Sequence, residues 1–341
     1  MQQAHSEPVS VRKGLLTSRR RFAVSGIVLL LLLAALWAEM GAREDLGEIW
    51  STFLRQIAAA NWVWAGSALL LMPLNWLAET QKWRRYMLRY EPMPLGRALL
   101  TVWIGVSFSM FTPNRIGEYG GRILLIRPRN RWKAVIANLL GNLGQLLVLL
   151  TAGMAGAYFF LTHFWTTDPV WRQRCTLGLI TATGALYILY FNLKHLAALL
   201  PRAPWLRRQK GLLREMALLQ HFNTVEVATL LGWAALRYGI YTTQYYLLLR
   251  FFGINPGLSA AYAGISLIFL LQTTLPLPPV AALVARGNLA VQIWSFFGAN
   301  EISSLAATFT LWIINLILPA LIGTFFLFYV NIAKSPGYED D

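Results

Sequence analysis

The chain has 341 residues, 56% of them hydrophobic and only 13% charged, with a mean hydropathy of +0.48. Soluble domains carry about 25% charged residues, so this composition excludes a soluble globular protein. The formal charge of +15 comes from 30 Lys and Arg against 15 Asp and Glu, and in so apolar a chain those cations orient membrane spans before they suggest nucleic acid.

Residues 1–21 are polar and basic and read as a cytoplasmic segment. A bilayer core about 30 Å thick takes about 20 apolar residues at ~1.5 Å each. Six runs qualify, at 22–41, 57–78, 134–162, 176–195, 225–251 and 304–331. The first follows Arg19, Arg20 and Arg21, but no small-x-small cleavage site comes after it, so it reads as a retained anchor.

Two further apolar segments are broken by Pro and Gly. In the first, 98–111 leads into Thr112, Pro113, Asn114, Arg115, Ile116, Gly117, Glu118, Tyr119, Gly120, Gly121 and Arg122, then a short apolar run at 123–126. Its leading arm covers only about 21 Å, too short to cross comfortably. In the second, 258–275 meets Pro276, Leu277, Pro278 and Pro279 and returns through 280–294, which carries Arg286 and Gly287. Both read as helical hairpins that enter the membrane and return on the same side. The expected fold is therefore an all-α polytopic membrane protein of six full spans plus two re-entrant hairpins, or eight helical spans if the hairpins cross.

The order of span, span, hairpin, span occurs twice, starting inside and then outside. That predicts an inverted-topology repeat within a single transmembrane domain at 22–331, with halves at 22–162 and 176–331. A cytoplasmic linker is expected at 196–224, with an Arg-rich amphipathic middle at 201–213, and a cytoplasmic tail at 332–341. With both termini inside, 21 of the 30 cations fall in inner segments, 5 in outer loops and 4 in membrane segments. Such a bias is the positive-inside pattern, and it accounts for most of the basic charge without nucleic acid. Trp50, Trp62, Trp83, Trp132, Trp165 and Trp205 lie near the expected boundaries, where an interfacial belt would place them.

A charge inside the bilayer costs about 2.5 to 3.5 kcal/mol on insertion scales, so each needs a partner or a purpose. On a helical return arm, Arg115, Glu118 and Arg122 would sit at i,i+3 and i,i+4 spacing, the carboxylate between two guanidiniums. Two readings stand open. One is a net-positive site whose planar forks match a phosphate; the other is an ion-pair staple holding the hairpin shut. Pro113, Gly117, Gly120 and Gly121 would supply the turn and close backbone approach.

Asn138, Asn142 and Gln145 share one face of the span at 134–162, suited either to a ligand or to helix packing. Arg237, Tyr241, Gln244 and Tyr245 share a face of the span at 225–251, and mid-span Arg237 reads as functional. Arg286 has no acid nearby in sequence, so a carboxylate from another helix or a ligand phosphate should neutralise it. Asn75 and Glu79, with Lys82 and Trp83 following, read as an interfacial anchor, which leaves Glu118 as the one clearly intramembrane carboxylate.

Enzyme signatures are absent: no Gly-rich phosphate loop, no Gly-x-Ser-x-Gly elbow and no catalytic residue to name. The single Cys175 and the scattered His5, His163, His195 and His221 imply no disulfide, metal site or cofactor.

The stretch from Phe111 to Arg122, with Pro113, Arg115, Gly117, Glu118 and Arg122, resembles a signature of the flippase-like transmembrane family named after the lysylphosphatidylglycerol synthase membrane region. Asn75, Trp76, Glu79, Lys82 and Trp83 look like the same family. So do Leu275, Pro276, Pro278 and Pro279 with Ala285, Arg286 and Gly287, and Trp312, Asn315 and Pro319. The resemblance covers essentially the whole chain. It implies a bacterial inner-membrane protein that moves lipids with charged head groups between leaflets, with Arg115, Glu118, Arg122 and Arg286 as implied elements and a lipid-modifying enzyme as a partner.

Too few residues follow the last span for the aminoacyltransferase domain of full synthases, so synthesis of lysylphosphatidylglycerol is not expected. The second hairpin carries Pro276, Leu277, Pro278, Pro279 and Val280 where many relatives have a Gly-rich turn. The function expected is translocation of a phosphate-bearing lipid through an Arg-lined cavity between the hairpins, with Pro113, Asn114, Arg115, Glu118, Arg122, Asn138, Asn142, Gln145, Arg237, Tyr241 and Arg286 as binding residues. The alternatives are a lipid-linked glycosyl or head-group transferase using Glu44 and Asp45, and a non-transporting cell-envelope scaffold.

Overall fold

The computed structural model describes residues 46–110, 112, 116–165, 168–199, 222–274 and 279–329, and the regular elements among them are all helical. The expected segment at 1–21, the first span at 22–41, Pro113, Asn114, Arg115, residues 200–221 of the linker, the turn at 275–278 and the tail at 332–341 lie outside the described residues. The chain divides into two units, 1–54 and 55–341. The described part of the first unit is the opening of α1 (Leu46–Ala58), where the Trp50 and Phe53 rings lie 5.4 Å apart.

In the second unit, local chemistry sets the helix ends. Asn61 caps α2 (Trp62–Met87) by accepting from the Val63 amide at 3.0 Å. Then come α3 (Leu95–Ser109), the short α4 (Gly117–Ile123) and the long α5 (Arg131–Phe160), which ends in a π turn at Leu161–Trp165. Asp168 caps α6 (Pro169–Phe191), and α7 (Leu193–Leu199) follows. A capping box of Asn223 and Glu226 opens α8 (Thr224–Phe251). The last helices are α9 (Leu258–Thr274), α10 (Pro279–Ser295), α11 (Glu301–Trp312) and α12 (Leu318–Tyr329). Between α11 and α12 the chain makes a π turn at Ile313–Ile317. Pro319 has no N–H to give the Asn315 carbonyl four residues back, so the regular ladder breaks at that turn.

Among the described residues three helices are long and apolar enough to cross a membrane: Pro128–Phe164, Pro169–Phe191 and Glu301–Leu327. At 26 and 28 residues, α2 and α8 are long enough as well, at about 39 and 42 Å, but both carry charged side chains. The arms α3 and α9, of 15 and 17 residues, reach only about 22 and 26 Å.

The arms of each expected hairpin pack together, α4 on α3 and α10 on α9. The first closes through glycine against glycine: a Cβ on Gly121 would stand 2.7 Å from the Gly105 Cα. Each leading arm also packs on the other half of the chain. The arm α3 lies against α12, where a Cβ on Gly323 would meet the Trp103 carbonyl oxygen at 2.3 Å, and Ser107 Oγ donates to the Ala320 carbonyl at 2.7 Å. The arm α9 lies against α5, where a Cβ on Gly156 would come within 2.4 Å of the Ala263 carbonyl oxygen. Between these two exchanges α2 and α8 pack along each other. Helix α6 leans on α5 and leaves Leu177, Ile180 and Ile188 exposed. Trp50, Trp62 and Trp132 are exposed, but Trp83 is buried in the protein, which corrects its expected place on the surface.

These crossings give a stability test. Gly323→Ala should destabilise the protein by about 1 to 3 kcal/mol through overpacking. Gly184→Ala, whose new Cβ meets nothing within 4 Å, should leave the thermal unfolding midpoint in detergent unchanged or raise it slightly, because Ala is the better helix former.

Candidate functional site

The chemistry gathers on α2. Asn75, Glu79 and Lys82 recur at i, i+4 and i+7 and so share one helical face, and all three are buried. Glu79 is the hub. Its Oε1 accepts from Arg122 Nη2 of α4 at 2.7 Å, and its Oε2 pairs with Lys82 Nζ at 2.7 Å and with Arg237 Nη1 of α8 at 3.0 Å. Arg122 also donates to Glu118, one turn earlier on α4, as the i,i+4 spacing predicts. Three cations therefore face two carboxylates, a net charge of +1 among the described residues.

Aromatic faces flank the guanidiniums. Arg122 lies over Trp83 at 5.1 Å and Arg237 over Trp76 at 5.4 Å, contacts that matter more where water is excluded. Gly105 makes room for Arg122, since a Cβ there would stand 2.7 Å from the arginine Cγ. Thr112 Oγ1 accepts from the Gly117 amide at 2.7 Å and so ties the loop to the start of α4. Gly120, by contrast, has nothing within 4 Å. The side chain of Arg122 is 2% exposed and that of Arg237 19%, so Arg237 alone of the two opens outward to any extent.

Two sequence readings change. Glu79 is no interfacial anchor: it is enclosed by three helices and is a second buried carboxylate beside Glu118. Asn75 joins the same interior, its Nδ2 donating to Asn315 Oδ1 at 2.6 Å. Asn315 sits in the π turn before α12 and also donates to the Leu311 carbonyl. The helix spacing of Asn75, Glu79 and Lys82 was the available signal for this cluster.

The remaining expected residues divide. Asn142 Nδ2 donates to Tyr119 Oη at 3.0 Å, linking α5 to α4. Asn138 Nδ2 and Gln145 Oε1, on the same face of α5, are buried without a hydrogen-bond partner. Tyr241 stacks on Phe269 with centroids 5.2 Å apart. Gln244 Nε2 donates to the Ala68 carbonyl, and Tyr245 Oη shares a 2.6 Å hydrogen bond with Thr308 and accepts from Trp294 Nε1. Those contacts join α8 to α2, α11 and α10. Arg286 stands apart from the Glu79 cluster on α10, within electrostatic reach of Tyr245. Its Nε is buried without a hydrogen-bond partner, and no carboxylate among the described residues pairs with it. No group of His, Cys, Asp and Glu among the described residues could hold a metal ion.

The hub sets up a charge-balance test. Glu79→Gln would strand cations in the interior and should cost about 3 to 5 kcal/mol. Adding Arg237→Gln should restore part of that loss, measured as unfolding midpoints of the single and double variants.

A family whose description is "Lysylphosphatidylglycerol synthase TM region" matches residues 21–323. No curated protein and no solved structure matches the chain.

Proposed function

Because the chain belongs to the family of the lysylphosphatidylglycerol synthase transmembrane region, a family of multi-pass membrane proteins with a lipid-related role, we propose that it is a lipid translocase and not an enzyme. It moves a phosphate-bearing lipid between the leaflets of a bacterial inner membrane, with both termini cytoplasmic. The chain forms six full spans and two re-entrant hairpins in two inverted halves. The reciprocal packing of α3 on α12 and of α9 on α5, around the α2 and α8 pair, supports that repeat.

Arg286 carries the reading. The return arms of the two hairpins occupy like positions in the sequence, yet Arg122 pairs with Glu79 on α2 whereas Arg286 lies within electrostatic reach of Tyr245 on α8. One guanidinium pairs with carboxylates, and the other pairs with none among the described residues. An unpaired charge in a membrane segment costs about 2.5 to 3.5 kcal/mol, and a phosphate oxygen is the natural group to offset it. In the Glu79 cluster the carboxylates occupy the guanidinium forks that a head group would need, so a passing phosphate must displace Glu79 or Glu118. Arg115, Pro113 and Asn114 belong to the same hairpin in sequence and join this proposed path.

The mutual pairing in the Glu79 cluster favours a second reading, a non-transporting scaffold in which the ion pairs only hold helices together. The two part on one measurement. In vesicles reconstituted with labelled anionic phospholipid, Arg286→Gln should slow leaflet exchange roughly tenfold or more, as expected for losing a charge-assisted contact of about 1.5 to 3 kcal/mol. Exchange at the wild-type rate in a folded Arg286→Gln protein would remove Arg286 from the path, whereas wild-type exchange no faster than in protein-free vesicles would sink the translocase, and a stable envelope partner would then support the scaffold.

A further inference from the structure

A second site, which does not include Arg286, lies at the C-terminal end of α2. A pocket of about 340 Å³ opens there between α2 and the start of α8, lined by Arg85, Tyr86, Leu88, Arg89, Phe222 and Glu226 among others. That volume falls at the lower end of small-ligand sites. Its charge is unbalanced. Arg89 pairs with Glu226 at 2.5 Å and lies over the Phe222 ring at 5.6 Å, whereas Arg85, one turn earlier on the same face, is exposed and has no partner among the described residues. The pocket therefore presents one uncompensated guanidinium beside apolar Leu88, Leu230 and Phe222, the pairing of groups that an anionic amphiphile offers in reverse.

The inner wall of the pocket is Tyr86, packed edge-on against Phe222 with centroids 5.8 Å apart. Tyr86 is fully buried, its Oη has no hydrogen-bond partner, and it lies within electrostatic reach of Glu79. Tyr86 thus has the pocket on one side and a buried acid of the cluster within its electrostatic reach.

We propose that this pocket is the port at which the phosphate of an anionic lipid docks on Arg85, and that the Tyr86 and Phe222 rings are the partition it passes to reach the Glu79 cluster. The docking step is a binding site distinct from Arg286; its role as a port rests on the translocase reading above. The phosphate would bridge Arg85 and Arg89, with Glu226 released, while the glycerol end lies along Leu88 and Leu230. Free inorganic phosphate shares the anionic chemistry but not the apolar contacts.

The test uses the full-length protein in vesicles containing a phosphatidylglycerol with a photoreactive diazirine near its head group. Irradiation should label peptides spanning 85–89 and 222–230. Arg85→Gln should reduce that labelling roughly fivefold to tenfold, as expected for one lost ionic contact to phosphate, and Arg85→Lys should restore most of it. Arg286→Gln should leave the labelling intact. Undiminished labelling in Arg85→Gln, or labelling confined to other segments, would overturn the site. Suppression by millimolar inorganic phosphate would overturn its assignment to lipid. Leaflet exchange in wild type without labelling of these peptides would remove the port and spare the translocase, whereas labelling without any exchange would leave a lipid-binding site and remove the translocase.

Discussion

A carboxylate sealed from water must be neutralised by groups already in place, and in this protein that requirement falls on Glu79. The cost of removing ions from water is met only when geometry is good and the remaining polar atoms find partners. Here one acid is shared by Lys82 of its own helix, by Arg122 on the return arm of a hairpin and by Arg237 on α8. Each partner is anchored separately: Arg122 by Glu118, Gly105 and the Trp83 face, Arg237 by Trp76. The seating of α4, too short at seven residues to be stable alone, follows from these contacts. Chemistry and packing are the same interaction at this point.

The helix breaks serve that arrangement. Pro319 lies four residues after Asn315, which therefore sits where backbone regularity is interrupted, and its partner Asn75 follows Pro73 by two residues within the continuous α2. Such interruptions let a polar side chain and a carbonyl face the interior rather than the ladder. The two hairpins nonetheless differ in substance. The leading arm of the first makes space at Gly105 for an arginine, and that of the second makes space at Gly264 for Trp294. The first hairpin therefore closes glycine on glycine around a charged arginine, and the second closes by aromatic packing around Tyr245.

Most of the fold could be read from the sequence, because hydrophobic length and the punctuation of Pro and Gly are local signals. Long runs became α5, α6 and α8, and the broken runs became α3 with α4 and α9 with α10. The i,i+4 pairing of Glu118 with Arg122 was equally legible, since it lies within one helix. The partner of Arg237 was not, since it lies on a helix distant in sequence and no spacing rule connects position 237 to position 79. Tryptophan misled for a related reason. Trp83 beside Lys82 has the composition of a membrane boundary, but tertiary packing turned it inward to cover Arg122. Resemblance marked Asn75, Glu79, Lys82 and Asn315 without saying that they meet.

The exchange of leading arms between halves bears on how the chain is made. Ser107 on α3 receives its acceptor, the Ala320 carbonyl, 213 residues later in synthesis. The first hairpin thus leaves the ribosome with its principal neighbour untranslated, and Trp103 and Ser107 stay without their final cover until the last helix has been inserted. Assembly of the first hairpin accordingly waits on α12. A truncation that removes only α12 would expose a surface in the half that was synthesised first.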